Sequence, residues 1–291
     1  MYTGRRGLVS QAAVVAPGEQ HQHQIGMELD FAQISDRGRV REGNEDYLGH
    51  ALPGTPQQAR ARGWLFAVAD GVGGHDFGEV ASQTAVESLL AGFRAAPAGE
   101  SHPVLLGRLV QTANTRVVDA GHAAGTGGQS MATTLVACAM RHDRATVAHV
   151  GDSRCYLIRR GETALLTRDH TVANDHVRLG LLSTDEAAGA ATRHVLSRSL
   201  GSDRIVNVDV AEHQVLAGDV LLLCTDGLHG PVTPSEMAAV VAGDADLNTS
   251  ARRLVDIANQ RDGSDNISLQ LICVRGVERV GMYRGRPYRI P

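Results

Sequence analysis

Lysine is absent from this 291-residue chain; all 28 of its basic residues are arginine. That excludes chemistry needing a side-chain amine, such as a Schiff base or the lysine that pairs phosphates in P-loop enzymes and kinases. Aromatic residues are scarce, at 3%, and the net charge is −4. With neither stacking platforms nor a basic field, nucleic acid is not an expected partner. The four cysteines, Cys138, Cys155, Cys224 and Cys273, sit in apolar runs without a CxxC pair or a Cys/His metal spacing. They read as small buried hydrophobes of a reduced, cytoplasmic protein. Long apolar runs are missing as well. No stretch approaches the ~20 residues of a membrane span, and the apolar patch at 12–16 is too short for a signal-peptide core.

What is present is an ordinary globular composition, 43% apolar and 21% charged, in a chain long enough to bury a core without staples. Residues 1–27 lack periodicity and read as a disordered leader, with a further translation start conceivable at Met27. Residues 275–291 carry five arginines against one glutamate and read as an exposed basic tail. Between them, apolar runs at 64–69, 133–140, 145–150, 155–158, 220–224 and 267–274 predict strands. The last alternates, with Ile267, Leu269 and Leu271 on one side and Ser268 and Gln270 on the other. Helical spacing covers 80–93 and 105–118, and Thr233, Pro234 and Glu236 form a capping-box start. Strands in hairpin-spaced runs rather than strict alternation with helices predict an α+β fold, with helices outside antiparallel sheets. The segment 169–193 reads equally well as a helical insertion covering a site or as a surface excursion.

Acidic residues recur where buried strands meet glycine-permitted turns. Asp70 follows the run at 64–69 and precedes Gly71, Asp152 follows Gly151, Asp226 precedes Gly227, and Asp265 leads into the last strand beside Asn266. Taken singly, each is a turn aspartate. Brought together, they would need a cation, and oxygen ligands alone favour Mg²⁺ or Mn²⁺ over Zn²⁺. Spacing does not say whether they converge.

An ordered set of motifs resembles the metal-dependent protein phosphatases, the protein phosphatase 2C-like family in its bacterial form. It runs from Asp36, Gly38, Arg41, Asn44, Glu45 and Asp46, through Asp70, Gly71, Gly73, Gly74 and His75, to Thr133 and Thr134. Gly151, Asp152 and Ser153 follow, then Asp169 and His170, Arg198 and Gly201, Asp226 and Gly227, and finally Asp265 and Asn266. The resemblance spans 28–274 and implies two antiparallel sheets packed as a sandwich with helices on both sides. It implies two Mn²⁺ or Mg²⁺ ions held by Asp70, the Gly71 carbonyl, Asp226 and Asp265, with a third ion at Asp152. Glu45 and Asp46 would orient metal-bound water, and Arg41 would grip the phosphate. The segment 169–193 would be the family's flap. The implied reaction is hydrolysis of phosphoserine or phosphothreonine by a hydroxide bridging the two ions, with no phosphoenzyme.

Val72 stands where some members carry a histidine proposed as general acid, which leaves the proton donor to the leaving group open; a metal-bound water is the preferred donor, and His75, which the resemblance places in the glycine turn, is a second candidate. Ala132 and Thr225 replace a commoner glycine and serine. The expected partners are phosphorylated proteins made by a serine/threonine kinase. The alternatives are an inactive regulatory module on the same fold, disfavoured by the complete ligand set, and a phosphatase of a partner-switching regulator. A two-metal nuclease is disfavoured by the weak basic field.

Overall fold

Apolar runs with no polar break become strands covered on both faces, and their alternate residues feed two different cores. The computed structural model describes residues 26–72, 76–125, 131–244, 246–278, 280–283 and 286–289. In chain order the first elements are β1 (Glu28–Asp36), β2 (Asp46–Ala51), α1 (Pro56–Ala61), β3 (Trp64–Val72), α2 (Asp76–Ala95) and α3 (His102–Ala123). Next come β4 (Ala132–Thr133), β5 (Leu135–Arg141), β6 (Arg144–Val150), β7 (Arg154–Arg159), β8 (Glu162–Leu165), α4 (Val172–Arg178) and α5 (Thr184–Gly189). Then follow β9 (Asp209–Gln214), β10 (Val220–Cys224), α6 (Asp226–His229), α7 (Pro234–Gly243), α8 (Leu247–Arg261), β11 (Ile267–Gly276), β12 (Val280–Tyr283) and β13 (Arg286–Arg289).

Two antiparallel sheets result, one ordered β2-β3-β5-β6-β9 with β4 paired to β3, the other β1-β11-β10-β7-β8. Along β3, Leu65, Ala67 and Ala69 face α2 and α3, packing with Leu89, Phe93, Leu105 and Leu106. The intervening Phe66 and Val68 point the other way, onto Leu221, Leu223 and Ile272 of the second sheet. That sheet's outer face, with Leu222, Leu269 and Leu271, packs on Met237 of α7 and Leu254 of α8. Three apolar layers therefore separate four structural layers, helix–sheet–sheet–helix, as expected. Each fully buried Leu or Phe side chain contributes roughly 1.5–3 kcal/mol.

The alternation in β11 is present, but its polar side faces the sandwich interior. Ser268 and Gln270 are fully buried. Ser35 and Ser268 share a hydroxyl hydrogen bond of 2.8 Å, and Gln270 Nε2 donates to the Gly49 carbonyl at 3.1 Å and to Gln33 Oε1 at 3.0 Å. The space between the sheets thus has a polar seam beside its apolar core, in which Gln270 Nε2 is paired while its Oε1 is buried without a hydrogen-bond partner.

The chain beyond residue 274 differs from a bare tail. β11 continues to Gly276, the Glu278 amide donates to the His142 carbonyl at 3.3 Å, and β12 pairs with β13 as an antiparallel hairpin. Most of the predicted leader, residues 1–25, lies outside the described residues.

Candidate metal centre and active-site cleft

The strand alternation that builds the cores also aims the carboxylates. Asp70 continues the inward row Phe66, Val68, and the β2–β3 register sets Asp46 directly opposite it. Asp226 opens α6 immediately after β10, and Asp265 precedes β11. Asp152 sits in the turn that carries the chain from β6 in one sheet to β7 in the other. Both sheets therefore deliver acidic groups to one end of the sandwich.

There they meet. Asp70, Gly71, Asp152, Asp226, Asp265, Glu45 and Arg41 line a single cleft of about 890 Å³. Asp46 lies beneath it, buried, with Oδ2 accepting from Thr225 Oγ1 at 2.9 Å. Asp70 is pushed well above the usual carboxylate range, first by burial and then by Asp46, Asp226, Asp152 and Asp265. Asp152 is pushed up to about 7, by burial and then by Asp226 and Asp169. Asp46 also rises to about 7, because burial outweighs the hydrogen bonds from Ser268 and Thr225. Asp226 is raised as well, by burial and Asp265, and sits within hydrogen-bonding reach of Asp70. Like charges forced together in a desolvated place call for a compensating cation.

The donor set fits hard divalent ions. Asp46 Oδ1 and Asp226 Oδ1 are buried with no hydrogen-bond partner, and unpaired buried carboxylate oxygens are costly unless a proton or a metal satisfies them. Arg41 lines the same cleft. Its Nη2 donates to Asp265 Oδ2 at 2.8 Å and its Nε to the Ser264 carbonyl at 3.3 Å.

Backbone and hydroxyl contacts hold the ligands in place. Asp70 N–H donates to Thr134 Oγ1 at 2.9 Å, its carbonyl accepts from Thr133 Oγ1 at 2.8 Å, and Thr134 Oγ1 shares a 2.7 Å bond with Ser153 Oγ. Gly71 packs so closely against the start of α2 that a Cβ would run into the Gly78 carbonyl, with the Glu45 carbonyl only 2.7 Å away. Asn266 clamps the 37–45 loop. Its Oδ1 accepts from the Glu45 amide at 2.8 Å, while Nδ2 donates to the carbonyls of Arg37 at 2.9 Å and Gly43 at 3.0 Å. Of the glycine turn after Asp70, Gly73, Gly74 and His75 lie outside the described residues.

The chain is similar along most of its length to known bacterial phosphatases. A family model described as Protein phosphatase 2C matches residues 42–271. The chain belongs to this family. The serine/threonine phosphatase stp of Listeria innocua is 34% identical over 255 residues, 87% of this chain and 96% of that one. Staphylococcus aureus serine/threonine phosphatase Stp1 superposes with a TM-score of 0.78 at 27% identity, over 89% of this chain and all of the other. The catalytic domain of the phosphatase PstP, solved in complex with two manganese ions, gives a TM-score of 0.71 at 32% identity, covering 86% and 99%.

Two features of this phosphatase escaped the sequence. Arg193 and His194, in the turn after α5, also line the cleft, although nothing periodic marks them. A second cluster joins His149, His170 and Asp209, whose ligand atoms lie within 4.8 Å of one another. It is a different arrangement from the acidic cleft. The imidazoles stack at 4.6 Å with planes 17° apart, and ring nitrogens of both already meet the backbone, His149 Nε2 at 2.8 Å from the Arg168 carbonyl oxygen and His170 Nδ1 at 3.2 Å from the Gly151 amide. Arg198 Nη1 at 3.0 Å and Arg168 Nη2 at 3.3 Å already neutralise Asp209. His170 instead works as a clasp. Its Nδ1 accepts from the Gly151 amide at 3.2 Å, and its carbonyl accepts from Ser197 N–H at 2.9 Å, tying both roots of the flap to the turn that carries Asp152.

Proposed function

We propose that the chain is a metal-dependent protein serine/threonine phosphatase in which Asp70, the Gly71 carbonyl, Asp226 and Asp265 hold two Mn²⁺ or Mg²⁺ ions and Asp152 a third. The observation that carries this reading is the convergence of buried carboxylates from both sheets, two of their oxygens unpartnered, on a cleft walled by Arg41. When bound, the ions supply a nucleophilic water at neutral pH and positive charge for the phosphoryl oxygens. Arg41 spends Nε and one Nη2 proton on Ser264 and Asp265. Its Nη1, with no hydrogen-bond partner among the described residues, is left for a phosphate oxygen, a charge-assisted bond of the stronger kind. Pinning by Asp265 also pre-orders the guanidinium before substrate arrives. Glu45 and Asp46, at the edge and beneath the cleft, orient water from outside the ligand shell. No covalent intermediate is required of the protein, which agrees with four buried, unpaired cysteines.

The substrates are proteins phosphorylated by a serine/threonine kinase, and the unpaired cysteines fit a cytoplasmic location. No helix among the described residues is long and apolar enough to cross a membrane. Phosphate release from a phosphothreonine peptide, with Mn²⁺, with Mg²⁺ and with excess chelator, tests the reading. Turnover that requires metal supports it. Folded protein that releases no phosphate with any metal would leave the inactive binding module standing.

A further inference from the structure

Cleavage of a phosphoserine or phosphothreonine expels an alkoxide, a poor leaving group that must gain a proton as the P–O bond breaks. The leaving oxygen is attached to the substrate protein, which is too large to enter the cleft, so this oxygen must point toward the mouth. The floor, built from Asp70, Gly71 and Asp226, faces the phosphoryl side. The donor therefore has to stand on the outer wall. The titratable side chains lining the cavity are Arg41, Glu45, Asp70, Asp152, Arg193, His194, Asp226, Asp262 and Asp265. Arginine holds its proton too tightly to give it up, carboxylates that bind a cation have none to give, and a carboxyl of the ordinary kind is already ionised near neutral pH. Imidazole is the residue type suited to donate a proton near neutral pH.

Among the described residues lining the cleft, His194 is the one imidazole, and it is solvent-exposed. It shares the cleft with Asp226, and among the described residues its ring has no hydrogen-bond partner that would withhold a proton. Backbone bonds fix the turn that carries it. Arg193 N–H donates to the Ala190 carbonyl at 3.1 Å, Val195 N–H to the Thr192 carbonyl at 3.1 Å, and the Val195 carbonyl accepts from Val172 N–H at 2.8 Å. The position two residues beyond Asp70 holds Val72, which cannot donate.

We infer that His194 is the proton donor to the departing serine or threonine oxygen, a role that rests on the phosphatase reading above. In the step, a water oxygen forms a bond to phosphorus while the bond from phosphorus to the side-chain oxygen breaks. The electron pair of that bond goes to the side-chain oxygen, which takes the imidazolium proton and leaves as the alcohol. The attacking water keeps one hydrogen in the hydrogen phosphate product, and its other proton passes through solvent to restore the imidazolium.

The test compares two leaving groups in wild type and His194→Asn, with Mn²⁺ present. On a phosphothreonine peptide, kcat should fall about a hundredfold or more, the range of general-acid catalysis. On p-nitrophenyl phosphate, whose nitrophenolate departs without a proton, the fall should be at most about threefold. In His194→Ala, added imidazole should restore part of the peptide rate. Thermal stability and Mn²⁺ affinity by calorimetry, expected unchanged, exclude a folding or metal-binding origin. An equal loss on both substrates, an effect confined to KM, or no loss on the peptide would each overturn the assignment. Failure of the wild type itself on the peptide would instead sink the phosphatase reading.

Discussion

At the scale of single residues, charge rather than bulk decides the outcome of substitution in the cleft. Asp226→Asn removes the charge of a proposed metal ligand while keeping the side-chain volume, and it relieves repulsion with Asp265 and Asp70. Its turnover should drop by more than the ~10–100-fold that loss of an outer partner of a metal ligand costs. Its melting temperature in chelator should equal or exceed that of the wild type, which scanning calorimetry would check. Arg41→Ala deletes a charged donor set worth about 1.5–3 kcal/mol, so KM for phosphopeptide should rise roughly ten- to a hundredfold with a smaller change in kcat. An unchanged KM would remove Arg41 from phosphate binding. Asp70 and Asp226 were legible in the sequence because a buried run followed by Asp-Gly has a structural meaning by itself, and Asp152 and Asp265 because each stands at one end of a buried run. Asp46 was legible only through the family resemblance. That it lies beneath the cleft and leans on Thr225 depends on the β2–β3 register and on the docking of the second sheet, which no local pattern encodes.

At the scale of elements, the site depends on loops held at close range. Asn266→Ala would strip three hydrogen bonds that fasten the 37–45 loop to the start of β11. Each is worth about 0.5–1.5 kcal/mol, so the midpoint of urea unfolding should fall measurably. Because that loop carries Arg41, KM should rise in the same variant. Gly227→Ala would set a Cβ against the Asn266 carbonyl. It should cost both stability and metal affinity, whereas alanine at the exposed Gly161 site would strain only its own turn. The strands at 64–69, 145–150 and 220–224 could be read from sequence because both their faces are covered. β8 and β9 could not, since they are half-exposed with no clean period. α8 has a clear N-cap in Asp246, whose Oδ1 accepts from the amides of Asn248 and Thr249. Its polar composition hid the stripe of Ala251, Leu254, Val255 and Ala258 that packs on the sheet.

For the whole molecule, the acidic end couples stability to pH and to metal. The carboxyls of Asp46 and Asp152 move from about 3.8 to about 7 on folding without metal. Between those values the folded chain binds more protons than the unfolded one, so stability falls as pH rises. This contribution is complete below about 3.8 and gone above about 7. Divalent cations bind the deprotonated form and act in the opposite direction. Melting temperature in chelator should therefore decline from pH 5 to pH 8, and the rise produced by Mn²⁺ should be larger at pH 8. An equal rise at both pH values would contradict the reading of these carboxyls as part of the metal site. The layer order of the fold was readable from the mixture of hairpin spacing and helical stripes. The polar seam between the sheets was not, because burial of Ser268 and Gln270 follows only once the second sheet covers them.

The position of β11 has a consequence for how the chain is made. β1, near the start of the described chain, pairs with β11 alone, and β11 also separates β1 from β10. A ribosome adding about 5–20 residues per second leaves β1 without its neighbour for roughly ten to fifty seconds. During that interval the first sheet can close around β3 and β5, but the second has a gap at its centre and an unpaired strand edge open to wrong partners. Asp265 emerges only with β11, so a nascent chain cannot assemble the proposed set of metal ligands until that strand is in place. Activity thereby requires that translation has passed β11.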